Sequence, residues 1–382
     1  MRAWNERLVL TLVRRHGALA KADIARATGL SAQTVSVIMR ALEQDGLLVR
    51  RAPIRGRVGQ PSVPMALDPE GAFFLGLKIG RRSAELALVD FVGHILGQRR
   101  MAYAWPKADD VLDFAESAVA SLRGTLSPAR AARLAGLGVA IPFRLWEWAK
   151  AIGAPAREMA AWRRLDMRTL LQERLGLPVF LENDATAACA AELILGHGPT
   201  PRDFVYFYIG FFVGGGLVLD GAVLAGPTGN AAALGSIPVP TPDGRGACQL
   251  IDVASIATLE ARLRARGLPS EPIWQGPRGW PIDPSVLEPW LEDTARALAW
   301  AIAGCVAVTD ASDVVIDGWM PAEVRRDLVA RTGAQLDELN LAGINRPRIG
   351  EGTLGAEART LGAASRPLAA RFLVEPEAQR RL

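Results

Sequence analysis

Histidine and cysteine are scarce, with three of each in 382 residues. Cys189, Cys248 and Cys305 lie far apart, and no Cys-x-x-Cys or Cys/His cluster occurs. That spacing excludes a disulfide framework and a tetrahedral zinc site, so no metal is expected. Each thiol reads as a small hydrophobe in a reducing compartment. Long apolar runs are missing as well. None reaches the roughly 20 residues a membrane span needs. No signal-peptide pattern follows Met1-Arg2-Ala3-Trp4, so a cytoplasmic protein that makes no membrane contact is expected. Glycine (38) and proline (25) are plentiful but scattered, which leaves no low-complexity tract. The length exceeds one compact unit and predicts two or three domains.

Acidic residues are thin in one place. Residues 1–70 hold 11 of the 44 Lys and Arg but only 6 of the 40 Asp and Glu, a surplus of five positive charges on a body that is otherwise close to neutral. A short basic module on such a body points to a polyanionic partner.

That module has a legible pattern. Leu8, Val9, Leu12 and Val13 recur at helical spacing and predict a helix over 4–16, ended by Gly17. A second short helix spans Lys21 to Ala27, followed by the turn Thr28-Gly29-Leu30. Ser31 is a good N-cap for a third helix from Ala32 to about Asp45, with Val35, Ile38, Met39 and Leu42 as its apolar stripe and Gly46 as its left-handed stop. Helix, helix, tight turn, helix is the helix-turn-helix pattern, whose last helix enters the major groove by its N-terminal end. Gln33, Thr34, Ser36, Val37 and Arg40 point away from the stripe. Gln33 and Thr34 suit base edges, and Arg40 suits a phosphate or a guanine. Lys21 and Ser36 complete the candidate DNA-contacting set. Strands at 47–49 and 62–67 flank Arg50, Arg51, Arg55 and Arg57 and read as a wing, with Arg55 and Arg57 as its DNA contacts. The partner expected from this is double-stranded operator DNA.

The body reads as strands at 73–80, 83–90 and 95–101, a helix at 109–123, a strand at 137–141, a helix at 170–175, a strand at 179–182 and a helix at 185–195. A second series follows: strands at 203–209 and 213–219, helices at about 252–266 and 285–308, a strand at 313–317 and a helix from about 321. Three strands, helix, strand, helix, strand therefore recur, which is the pattern of two α/β lobes. The expected division is a winged helix-turn-helix over 1–70, a first lobe over 71–183 completed by 355–382, and a second lobe over 184–354.

Four stretches carry a resemblance: Gly59-Gln60-Pro61-Ser62, Leu75-Gly76-Leu77-Lys78-Ile79-Gly80, Gly136-Leu137-Gly138-Val139-Ala140-Ile141-Pro142 and Leu181-Glu182-Asn183-Asp184-Ala185. With the winged helix ahead of them, they resemble the ROK family of repressors and sugar kinases, in its regulator branch. The resemblance implies a two-lobed, actin-like sugar-kinase fold. It also implies a transcriptional regulator, chiefly a repressor of carbohydrate-related genes, that works as a homodimer or higher homo-oligomer with a sugar or sugar derivative as effector.

Against the family's kinases the sequence departs at the nucleotide. Their first strand ends Asp-x-Gly-Gly-Thr; here it is Lys78-Ile79-Gly80-Arg81-Arg82-Ser83. Their second phosphate loop carries Gly-Thr-Gly; here it is Gly210-Phe211-Phe212. The sugar-binding glutamate and zinc-binding histidine positions hold Ala233 and Ser236, Leu250 stands where a second glutamate is usual, and Cys248 alone remains of the zinc loop. Packing and the prolines Pro238, Pro240 and Pro242 are expected to hold 236–250 instead. The chain is therefore expected to be a pseudo-kinase with no catalytic residue and no cofactor. Asp184, the family's base, and its neighbour Asn183 either bind a sugar or cap the helix beginning at Ala185. Trp146, Trp148 and Trp162 either stack on a sugar ring or pack in the core. The competing readings are a sugar kinase with an accessory head and a regulator controlled by a protein partner.

Overall fold

A computed structural model describes residues 2–53, 62–198, 201–276 and 279–374. The chain divides into two compact units, Met1–Glu182 with Thr360–Leu382, and Asn183–Arg359.

The first unit opens with helices α1 (Arg2–His16), α2 (Lys21–Thr28) and α3 (Ala32–Gln44), with strand β1 (Ala18–Leu19) between the first two. The Ser31 hydroxyl accepts the Thr34 N–H at 3.1 Å, the cap its position predicts. Gly46 stops α3 at φ 69°. Strands β2 (Leu48–Arg50) and β3 (Met65–Leu67) pair antiparallel, and β1 joins them in the order β1-β3-β2. Val35, Met39, Leu42, Val9 and Val13 close the small core. This is a winged helix. Arg55 and Arg57, expected at the wing tip, lie outside the described residues.

The same unit continues through β4 (Phe73–Ile79), β5 (Ser83–Asp90), β6 (Ile95–Ala102), α4 (Ala108–Arg123), a turn α5 (Pro128–Ala131) and β7 (Leu134–Ile141). Two short helices, α6 (Ala149–Ile152) and α7 (Ala156–Ala161), precede α8 (Met167–Leu175) and β8 (Val179–Asn183). The sheet runs β6-β5-β4-β7-β8, with β4 antiparallel to β5 and parallel to β7. All seven residues of β4 are buried, so the strand is apolar without alternation except at Lys78.

The second unit begins with α9 (Asp184–Leu195) and the strands β9 (Phe204–Ile209), β10 (Val213–Leu219) and β11 (Ala222–Val223). A hairpin of β12 (Pro238–Pro240) and β13 (Ala247–Gln249), helices α10 (Ile256–Ala265), α11 (Pro272–Gln275) and α12 (Pro284–Thr309), strand β14 (Asp313–Gly318), α13 (Ala322–Asp337) and β15 (Arg348–Glu351) complete it. Its sheet runs β11-β10-β9-β14-β15. Trp290, Leu298, Ile302, Ile316 and Leu328 lie in its main core.

The last helix, α14 (Ala358–Phe372), packs on the first unit's sheet beyond its opening turn. The approach is close enough to demand glycine. A Cβ on Gly138 would sit 1.7 Å from the Ala363 carbonyl oxygen, and one on Gly76 2.2 Å from that of Thr360. Those two glycines belong to the stretches that carry the family resemblance, and helix packing explains both. At its other end α14 brings Phe372 against Phe91 (centroids 4.9 Å) and Phe74 (5.9 Å). The winged helix is tied to this corner of its unit. Arg14 of α1 donates to the Phe91 carbonyl and lies 5.4 Å over its ring, and Thr11 accepts the Val374 N–H at 3.1 Å.

Candidate DNA-reading face and ligand site

The exposed side of α3 carries most of the candidate reading residues. Gln33 and Arg40 are exposed, and Thr34 and Ser36 are half-buried. Two of the hydroxyls already have local partners: Thr34 shares a hydrogen bond with Ser31 (2.8 Å), and Ser36 accepts from Lys21 Nζ (3.0 Å). Lys21, which opens α2, is thereby brought beside α3. At the wing base, Arg50 forms a bidentate pair with Glu43 of α3, at 2.7 and 3.1 Å. Arg50 thus braces the strand on the helix, while Arg51 stays exposed.

In the first unit the expected phosphate loop is knit together internally. Lys78 and Glu85 face each other across β4 and β5. Both side chains are only 4% exposed, and their charges meet at 3.0 Å. Ser83 bonds to both, and Arg100 reaches Glu85 at 3.3 Å. Arg81 lies 5.7 Å over the Trp148 ring, and Arg82 donates to the Ala104 carbonyl at 2.7 Å. Trp162 is buried with its indole N–H on the Pro106 carbonyl.

In the second unit the other loop is filled by rings. Phe211 is buried against Phe212 (4.8 Å) and Trp274 (5.6 Å). The Val213 N–H is held by the Ser255 hydroxyl at 3.0 Å. Gly215 and Gly216 serve packing. Added Cβ atoms would meet the Tyr206 carbonyl oxygen at 2.2 Å and the Cys189 Cβ at 2.4 Å, so at these two positions β10 lies too close to its neighbours for a side chain. The stretch 236–250 is a hairpin in which Val239 pairs with Cys248, closed by a hydrogen-bonded turn at Thr241 and Asp243 and anchored by buried Leu250. Among the described residues, no group of three or more His, Cys, Asp and Glu is arranged to hold a metal.

Asn183 and Asp184 have separate places. Asn183 is the N-cap: its side-chain Oδ1 accepts the N–H groups of Ala185 (3.0 Å) and Thr186 (3.3 Å). Asp184 opens the helix, one residue earlier than expected, and does not cap it. It is buried and paired with Arg359 at 3.2 Å, whose guanidinium lies 4.8 Å over the Tyr208 ring. Seven residues along α14, Arg366 reaches Glu182 at 3.4 Å. Both acids that flank Asn183 are thus held by one helix. Arg359 gave no signal in the sequence, because its partner lies 175 residues away. Lys78 and Glu85 did leave a trace, as two charges placed symmetrically about a turn inside otherwise apolar strands.

A cavity of about 200 Å³ lies elsewhere in the second unit, lined by Glu192, His197, Asp313, Arg348 and Glu351. Within it Arg348 forms a bidentate pair with Asp313, and Glu192 accepts from Thr353.

The ROK family profile matches residues 74–365, and the MarR family profile matches residues 4–57. The chain belongs to the ROK family. With a winged helix ahead of the ROK body, it is built as a DNA-binding transcriptional regulator of that family. The xylose repressor of Bacillus spizizenii is 22% identical over 62% of this chain and 60% of that protein. A ROK family transcriptional regulator, a homologue of the E. coli MLC protein, superposes with a TM-score of 0.66 at 21% identity, covering 99% of this chain and 98% of that one. A ROK family glucokinase from Streptomyces griseus, solved with glucose and AMPPNP, gives a TM-score of 0.59 at 22% identity over 77% of this chain and 98% of that one. These structures share the fold. No helix among the described residues is long and apolar enough to cross a membrane.

Proposed function

We propose that the ROK regulator is a repressor of carbohydrate-related genes that grips operator DNA as a homodimer and does not phosphorylate sugar. What carries the second half of this reading is the Lys78–Glu85 pair. A magnesium nucleotide calls for a carboxylate and open backbone N–H groups at the end of the first strand. That position holds a buried cation already neutralised by Glu85, with Arg81 and Arg82 beside it. Phe211 and Phe212 supply no hydroxyl at the other loop, and Asp184 is engaged by Arg359 where a general base needs a substrate proton within reach. Zinc does not fit either, since Cys248 has no histidine or second cysteine to complete a tetrahedral set.

Asn183 and Asp184 remain the ligand contacts we assign to the body. A sugar hydroxyl that bonds Asp184 would compete with Arg359 at the start of α14, the helix whose far end meets Phe91 and the α1 corner. An effector that prefers the Arg359-released arrangement would shift the head by population, and one with equal affinity for both arrangements would shift nothing.

The test is a thermal-shift series with Mg-ATP at millimolar concentration and with a panel of pentoses, hexoses and amino sugars. We expect no shift from the nucleotide. A shift from one sugar, abolished by Asp184→Asn, is the expected effector response. ATP turnover dependent on a sugar would overturn the proposal.

A further inference from the structure

Val37 has no part in building the fold. It lies in α3 with 60% of its surface exposed, while Val35, Ile38, Met39 and Leu42 fill the core from the other side. A β-branched residue lowers helix propensity and here wins no burial in return. Its surroundings are those of a reading surface: Gln33 stands one turn before it, Arg40 follows on the same exposed side, and Lys21 flanks it from α2 through Ser36. Thr34 and Ser36 have their hydroxyls engaged locally, which makes Gln33 and Val37 the base-reading pair.

The chemistry of that pair is selective. A glutamine amide matches the N6 donor and N7 acceptor of adenine, and an exposed aliphatic side chain in the major groove matches the C5-methyl of thymine. Four residues of helix advance about 6 Å, a little under two base-pair steps of about 3.4 Å each. We infer that α3 reads A·T pairs about two steps apart, with Gln33 on an adenine and Val37 on a thymine methyl. The inference rests on the DNA-binding reading above and names the bases that this reading leaves open.

The experiment enriches binding sites from a random-sequence duplex library with the full-length chain, then replaces each thymine of the enriched duplex singly by deoxyuridine. One thymine per half-site is expected to respond, with binding weakened about fourfold, the worth of one buried methyl. Val37→Ser, which replaces the apolar methyls by a hydroxyl, should bind the thymine and deoxyuridine duplexes alike. Val37→Thr, which keeps a methyl, should retain the preference. Both variants change an exposed side chain, and unchanged melting temperatures verify that they fold. Enrichment of half-sites whose α3-contacted pairs are G·C, insensitivity to deoxyuridine at every thymine, or a Val37→Ser variant that still discriminates would each overturn the inference while leaving DNA binding intact. Failure to enrich any duplex would overturn the DNA-binding reading itself, and this inference with it.

Discussion

Removing the charge of Lys78 should destabilise the first unit sharply, and removing Glu85 as well should undo most of the damage. Lys78 Nζ meets Glu85 at 3.0 Å with both side chains 4% exposed. Lys78→Met removes the cation that faces the buried Glu85 carboxylate, which keeps its contacts with Ser83 and with Arg100 at 3.3 Å. Breaking a buried pair on one side costs about 3–5 kcal/mol. Arg100 is a third exposed and supplies a partial counter-charge, so we place the loss near the lower end, about 3 kcal/mol. For a unit of this size each kcal/mol lowers Tm by about 2–4 °C, giving a drop of about 6–12 °C. The double variant Lys78→Met/Glu85→Leu removes both charges and should return to within about 1 kcal/mol of the parent, because well-packed apolar side chains replace a buried pair at little cost. Lys78→Asp, which reinstates the family carboxylate, would face Glu85 across the hairpin and should be the least stable of the set. Thermal unfolding followed by circular dichroism reads all three. A single variant as stable as the parent, or a double variant as damaged as the single, would refute the argument that this strand end is locked by charge pairing.

Gly216→Ala should destabilise the second unit by about 1–3 kcal/mol in urea unfolding, because its Cβ would meet the Cys189 Cβ at 2.4 Å. Burial pushes the Glu192 carboxyl above its ordinary value of 4.5, against the opposing hydrogen bonds from Thr353. A raised acid holds its proton more tightly in the folded state, so its contribution is full below that ordinary value and is lost as pH rises through the folded one. Glu192→Gln should therefore gain stability over the parent at pH 8 and lose that advantage by pH 4, at no more than about 1.4 kcal/mol per pH unit between the two values. Cys248 should react first with a thiol reagent in the native protein. Burial holds the Cys305 thiol up at about 11 and the Cys189 thiol higher still, so Cys189 should label only on unfolding. Arg55→Ala/Arg57→Ala should weaken DNA binding strongly and flatten its salt dependence, read by fluorescence anisotropy.

The periodic parts of the fold were open to reading from the sequence, and the reasons are local. Ser31, Gly29 and Gly46 punctuate α2 and α3 through their own backbone chemistry, and the apolar stripe of α3 needs no tertiary knowledge. The body's long strands and helices follow the same logic. What escaped was set by distance or by short, weakly periodic sequence. The hairpin of β12 and β13 is proline-rich and only three residues a side, and α6 and α7 run for only four and six residues. At the proposed ligand contacts, spacing alone leaves both sugar binding and helix capping open for Asn183 and Asp184. Only the fold assigns the cap to Asn183 and the buried cation to Asp184, since Arg359 arrives from the far end of the chain.

Sequence-specific DNA binding is measured by anisotropy titration of the full-length chain onto duplexes from the region around its own gene, between about 50 and 200 mM salt. One duplex should bind far more tightly than a shuffled control, with affinity falling by about 10³ or more over that range as phosphate contacts release counterions. Equal affinity for the duplex and its shuffled control at every salt concentration would contradict it.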